Sequence, residues 1–133
     1  MEVSRIKISL YPRIIWIVKS ESYEELNDNF IMADGSLIEY YPERVYAECF
    51  APVKRKGSDY VGLLMAYSDP NEVSDKTICH ESGHLGSLLL RELGDESSNG
   101  LNEHYCYLIE YIFGEIEKII NKDKKRCEKP LNP

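Results

Sequence analysis

The apolar positions of this chain change period along its length, and each change marks an element. Residues 6–10 alternate apolar and polar until Pro12 interrupts them. Residues 13–19, R-I-I-W-I-V-K, are a short apolar run rich in β-branched side chains, which predicts a strand buried on both faces. Residues 20–32 shift to helical spacing, with Tyr23, Leu26 and Phe30 on one side and Ser20 or Ser22 placed to start the helix. Asp34-Gly35 reads as a turn. Residues 37–41 and 45–53 return to aromatic and β-branched composition, with Pro42 between them. A basic turn, K-R-K-G-S-D, follows at 54–59, and residues 60–68, Y-V-G-L-L-M-A-Y-S, form another apolar strand ended by Asp69-Pro70. Runs 45–53 and 60–68 are predicted to form a hairpin.

After that strand the period becomes helical again. Ile78, Leu85, Leu89 and Leu93 fall on one stripe, Ser74 or Asp75 can cap the start, and Gly94 can end it. Nearly opposite that stripe stand His80 and His84, the ends of the run H-E-S-G-H. On a helix, positions i and i+4 lie one above the other, so two imidazoles so spaced can grip one metal ion. Glu81 stands about 100° round the helix, where it can reach a water on the metal without being a ligand. Two histidines, a third ligand from elsewhere, an open position for water and a carboxylate base are the parts of a zinc hydrolase. Chance alone yields this motif in roughly one chain of this size in a few hundred. The plain alternative is a solvated helix face carrying two histidines and an acid. Gly83 costs roughly 1 kcal/mol inside a helix; with Gly86, Cys79 and Leu90 it forms a small-residue flank that another segment can approach closely.

A polar stretch, D-E-S-S-N-G at 95–100, separates this helix from a second long one predicted over 101–121. Its apolar stripe is Tyr105, Leu108, Ile109, Ile112, Ile116 and Ile119. From Lys122 the chain is charged and ends in prolines, which reads as a solvated tail over 122–133 beyond a single domain over 1–121. Strands with one early helix, then two helices, predict an α+β fold in which the helices pack on a small sheet.

At 133 residues there is room for one domain with a real core. The net charge of −7 argues against nucleic acid as a main partner. No apolar run is long enough to span a membrane, and charges sit where a signal peptide needs its apolar centre, so a cytoplasmic location is expected. Four cysteines without C-x-x-C spacing read as free thiols, with Cys49, Cys79 and Cys106 part-buried.

A zinc site of this kind needs a third protein ligand. A histidine in H-E-x-x-H-x-x-G-x-x-H is excluded, because Ser87 and Leu90 occupy those later positions. An acid on the next helix remains. Glu103 sits in its first turn, which a short connection would fold back over the motif helix. Otherwise Glu103 is an N-terminal acid favoured by the helix dipole. Tyr107, one turn on from Glu103, shares its stripe and can polarise a substrate carbonyl. His104 is the competing ligand, about 100° off that stripe.

H-E-S-G-H followed by N-E-H-Y-C-Y-L-I-E-Y-I resembles a family of small HExxH proteins encoded by phages and mobile elements. That family's pattern is H-E-x-x-H, about twenty residues, then E-x-x-x-Y-L-x-x-Y/W. The opening L-Y-P-R-I-I-W-I-V and the strand Y-V-G-L-L-M are similar too, so the resemblance spans residues 5–120. It implies a minimal zincin-like domain with a small twisted sheet: Zn2+ on His80, His84 and Glu103, Glu81 as general base, and a peptide or protein substrate. In zincins the strand before the motif helix is a sheet edge that takes extended peptide, which here would be residues 60–68. The chain departs from the family at Glu110, where a small residue is usual. Two functions are expected from these parts. One is a zinc metallopeptidase, with Tyr107 or another nearby tyrosine stabilising the oxyanion. The other is a catalytically silent zincin-like module that binds a protein.

Overall fold

A computed structural model describes residues 1–8, 11–94 and 103–128. Five strands form one sheet: β1 (Glu2–Lys7), β2 (Ile14–Lys19), β3 (Phe30–Met32), β4 (Ala47–Arg55) and β5 (Val61–Tyr67), in spatial order β1-β2-β5-β4-β3. With α1 (Tyr23–Asn29), α2 (Asp75–Glu92) and α3 (Glu103–Glu128) the fold is α+β. β2 and β5 run parallel at the centre and the other pairings are antiparallel, including the expected β4–β5 hairpin.

The period-2 alternation of the two central strands divides the interior. Ile15, Ile17, Leu63, Met65 and Tyr67 face α2 and α3, where they meet Ile78, Leu85, Leu89, Ile112, Ile116 and Ile120. Trp16, Val18, Leu64 and Ala66 face the other way, onto Leu26, Phe30, Ile38 and Tyr40. β2 is therefore covered on both faces, as its unbroken apolar run requires.

Two segments differ from the pattern of the sequence. The helix expected over 20–32 stops at Asn29. Ser22 caps its start, accepting from Glu25 N at 3.0 Å, and Phe30 turns extended (φ −134°) to enter β3. Residues 37–41 form no strand. Buried Asn27 takes the place of a neighbouring strand: its Oδ1 accepts from Ile38 N at 2.7 Å and its Nδ2 donates to Ile38 O at 2.8 Å. Ile38 is thus buried with both backbone groups met by one side chain rather than by a ladder, and Tyr40, buried beside it, donates its own N–H to Ile38 O at 2.9 Å.

Residues 122–128, read from their charge as tail, continue α3. Asp123 turns inward and is 1% exposed, accepting from Tyr67 Oη at 2.9 Å and Lys19 Nζ at 3.1 Å. The apolar stripe closes on Ile120 instead of Ile119 for the same reason: 112, 116, 120 and 123 share one side of the helix. Cys79 and Cys106 are exposed and only Cys49 is half-buried. Positions 9 and 10 of the first alternation, the polar stretch 95–100, the expected start of the last helix at 101–102 and the end of the tail at 129–133 lie outside the described residues. Among the described residues, no helix is long and apolar enough to cross a membrane.

Candidate metal centre

α2 forms where its capping chemistry sets it. Ser74 Oγ accepts from Thr77 N, Asp75 lies in the first turn, Arg91 in the last, and Gly94 follows in a left-handed conformation (φ 79°). Ile78, Leu85 and Leu89 go fully into the core, which leaves the opposite stripe to solvent. His80 and His84 are on it, both exposed. Their rings meet edge-on with centroids 4.6 Å apart, and His84 Nε2 stands 3.0 Å from His80 Nε2. Two imidazole nitrogens on one tetrahedral zinc, each at about 2.05 Å, would be about 3.3 Å apart. The Nε2 atoms, within hydrogen-bond distance of each other, are therefore close to the separation that two imidazole donors take on one zinc ion.

Glu81 is 6% exposed and turns toward β4. Two joined clefts open here. One, of about 380 Å³, runs between β4 and the histidine stripe, lined by Glu48, Cys49, His80, Glu81, His84 and Arg91 among others. The other, of about 740 Å³, extends past Tyr46 and Lys76. The low-dielectric wall between α2 and β4 acts on its titratable groups. Burial, with the nearby Glu81 charge second, holds the Glu48 carboxyl above its usual range. Burial also pushes the Cys49 thiol well up, and the Glu81 charge adds to it; Cys49 Sγ donates to Glu81 O at 3.7 Å.

The strand beside the site is not the one expected from the zincin resemblance. β5 lies between β2 and β4 with both sides paired, so residues 60–68 offer no edge. The open edge belongs to β4. β3 pairs only with Val53–Arg55, and no described strand pairs with the outer side of residues 47–51. Those residues run alongside His80 and Glu81. Chain order made β5 the natural choice, but the parallel β2–β5 pairing is a long-range choice that local pattern does not carry.

α3 comes back antiparallel over α2. Lys124 Nζ donates to Val73 O near one end, and Tyr105 Oη donates to Gly83 O at 3.3 Å near the other. Gly86 is the close approach: a Cβ there would stand 3.0 Å from Ile109 Cγ1 and 3.6 Å from the Tyr105 ring. The first described turn of α3 therefore lies against the turn of α2 that carries His84. Glu103 is exposed on that turn and lines neither histidine cleft. His104 points to the opposite side, its ring 5.6 Å from that of Tyr11. Tyr107, 66% exposed, lines a groove with Lys7, Tyr11 and His104 rather than the histidine clefts. Among the described residues, no third His, Cys, Asp or Glu completes a metal-binding group with the two histidines.

His80, Glu81 and His84 are thus brought together as their spacing requires, while Glu103 and Tyr107 line neither histidine cleft. Sequence reasoning missed three cleft residues, Tyr46, Glu48 and Arg91. Arg91 is three turns on from His80 and shares its stripe, so the helical period could have found it; Tyr46 and Glu48 carried no local signal, because they depend on which strand adjoins α2. Compared with models of known protein families, with curated proteins and with solved structures, the chain matches none.

Proposed function

We propose that this chain is a small zinc-dependent metallopeptidase of the zincin type. One observation carries the assignment: two imidazole nitrogens stand 3.0 Å apart beside a buried acid, at the foot of a cleft walled by a strand edge unpaired among the described residues. His80 and His84 would hold the zinc, and Glu103, from the α3 turn that Tyr105 ties to Gly83, is the third ligand proposed. When bound, zinc supplies a Lewis acid for the scissile carbonyl and lowers the pKa of water. Glu81 is the general base: it takes the proton of the attacking water and returns it to the leaving amine. The open edge of residues 47–51 offers backbone N–H and C=O groups to an extended peptide, which supports a peptide or protein substrate. The oxyanion role expected of Tyr107 passes to Tyr46, the tyrosine that shares a cleft with His80 and Glu81. A cytoplasmic location belongs to the same proposal, since all four cysteines are free thiols.

A second function is favoured by a different observation. Because no third ligand stands with the two histidines among the described residues, a catalytically silent zincin-like module that binds a protein through the β4 edge is the alternative.

Metal analysis of the dialysed protein and its variants separates these. The wild-type chain should retain a single zinc, His80→Ala and Glu103→Ala should lose it, and His104→Ala should keep it. Glu81→Gln should keep zinc and lose peptide hydrolysis by about 100-fold or more. A wild-type chain that binds no zinc sinks the peptidase and leaves the silent module. Zinc without hydrolysis of any peptide in a random library selects the silent module, and Glu103→Ala with full zinc content removes Glu103 from the site.

A further inference from the structure

Positive charge is scarce in this chain and unevenly placed. Sixteen Lys and Arg stand against 23 Asp and Glu, yet Arg5, Lys7, Arg13 and Arg55 all line one cleft of about 540 Å³, and among the described residues no carboxylate lines it. The cleft is remote from the histidines. It sits where β2 and β5 begin, whereas the histidines lie beside Ala47–Cys49, which pair with the end of β5.

Alternation along β1 explains two of the cations. Ile6 goes into the core under α2 and α3, so Arg5 and Lys7 project from the other face. They stand opposite Trp16 and Ile14 in the β1–β2 register. Trp16 makes the floor, 2% exposed, and a Cβ at Gly62 would meet its ring at 2.8 Å. The far wall is the β4–β5 turn with Arg55, Ser58 and Tyr60.

These cations are poorly neutralised by the protein. Arg13 pairs with Glu92 through Nε at 3.2 Å. Arg55 stands over the Phe30 ring, 5.7 Å from its centroid. Among the described residues neither Arg5 nor Lys7 has an ion pair. Like charges collected around a partly enclosed cleft repel one another, and a bound anion relieves that repulsion. The volume is that of a small-molecule site. Tyr60, 54% exposed at the rim, offers an aromatic face on which a planar ring can stack. A polyanionic chain would leave the cleft and meet the rest of a surface with net charge −7, which repels it.

We propose that the cleft bounded by Arg5, Lys7, Arg55 and Tyr60 binds a small phosphorylated ligand carrying a planar ring, of the nucleotide class. Its phosphates lie on the three cations and its ring on Tyr60. The proposal is independent of the metal centre.

Isothermal titration of the full chain with ADP, with pyrophosphate and with a single-stranded DNA of about 12 nucleotides tests it. ADP should bind at submillimolar concentration and weaken as salt rises. Arg5→Ala and Arg55→Ala should each weaken ADP about tenfold or more, as loss of a charge-assisted hydrogen bond to phosphate does. Tyr60→Ala should weaken ADP but leave pyrophosphate unchanged. These side chains are solvent-accessible, and unchanged thermal melting of each variant would show that the fold is intact. The proposal is overturned if ADP gives no heat at millimolar concentration, or if the arginine variants bind it as the wild type does. Pyrophosphate matching ADP with no effect of Tyr60 overturns the nucleotide class. An oligonucleotide bound more tightly than ADP replaces a small ligand with nucleic acid.

Discussion

Asp123 ties the last turns of α3 to the sheet through buried polar contacts. It is 1% exposed and accepts from Lys19 and Tyr67, with Arg126 at 3.5 Å on its outer side and in turn paired to Glu2 at 2.7 Å. Replacing it by alanine strands the Lys19 charge and the buried Tyr67 hydroxyl. Asp123→Ala should cost about 2–3 kcal/mol by urea denaturation, below the full figure for a buried pair because Lys19 keeps some solvent. The same groups set the alkaline limit. Burial works against the Lys19 charge, but the hydrogen bond and charge of Asp123 outweigh it and hold its pKa above the ordinary value. Burial first, then the bond to Asp123, raises the Tyr67 hydroxyl, and burial with nearby Glu48 raises that of Tyr40. All three pKa values are higher folded than unfolded. Their stabilisation is therefore fully present below pH about 10 and is lost as pH rises above it. Absorbance titration should show Tyr40 and Tyr67 ionising only together with unfolding. Their ionisation in a chain that keeps its native circular dichroism would contradict this.

At the scale of elements, two glycines have opposite meanings. Gly62 lies in the central strand, where a Cβ would run into the Ile14 carbonyl oxygen and the Trp16 ring. Gly62→Ala should therefore destabilise by about 2–4 kcal/mol, since neither backbone nor buried ring can yield cheaply. Gly83 is mid-helix in α2, and a Cβ there meets nothing within 4 Å. Gly83→Ala should stabilise by up to about 1 kcal/mol through helix propensity and leave zinc content unchanged. Thermal melts of the two variants, shifting in opposite directions, check both. Gly86 belongs to the contact between helices, where Ile109 and Tyr105 already occupy the space above it. The small residues of the α2 flank thus divide: Gly86 allows α3 to approach, and Gly83 contributes only its carbonyl to Tyr105.

For the whole molecule, the sheet holds two clefts apart. The histidine clefts lie on one face beside the open half of β4, and the cationic cleft lies toward the other face where β2 and β5 begin. α3 is the clamp of the assembly, bonded to Gly83 at its start, Val73 further along and the sheet through Asp123. A chain ending at Asn121 lacks the Asp123 anchor. It should unfold at lower urea than the full chain, by about as much as Asp123→Ala. Equal midpoints would show that residues 122–133 are dispensable to the fold.

Local chemistry was enough for the α+β class, the doubly buried β2, the hairpin of β4 and β5, and the coincidence of His80, Glu81 and His84, because alternation, helical period and capping act over a few residues. It misjudged residues 37–41, where one buried asparagine replaced a strand, and residues 122–128, where a run of charges hid one inward aspartate. Tertiary structure decided that β5 is central and β4 open, because a parallel pairing joins segments far apart in sequence. It decided too that Glu48 and Tyr46 share the histidine clefts while Tyr107 lines a groove with Tyr11. Which side chains meet across elements depends on how the helices settle on the sheet, and that is set by the two apolar cores acting together.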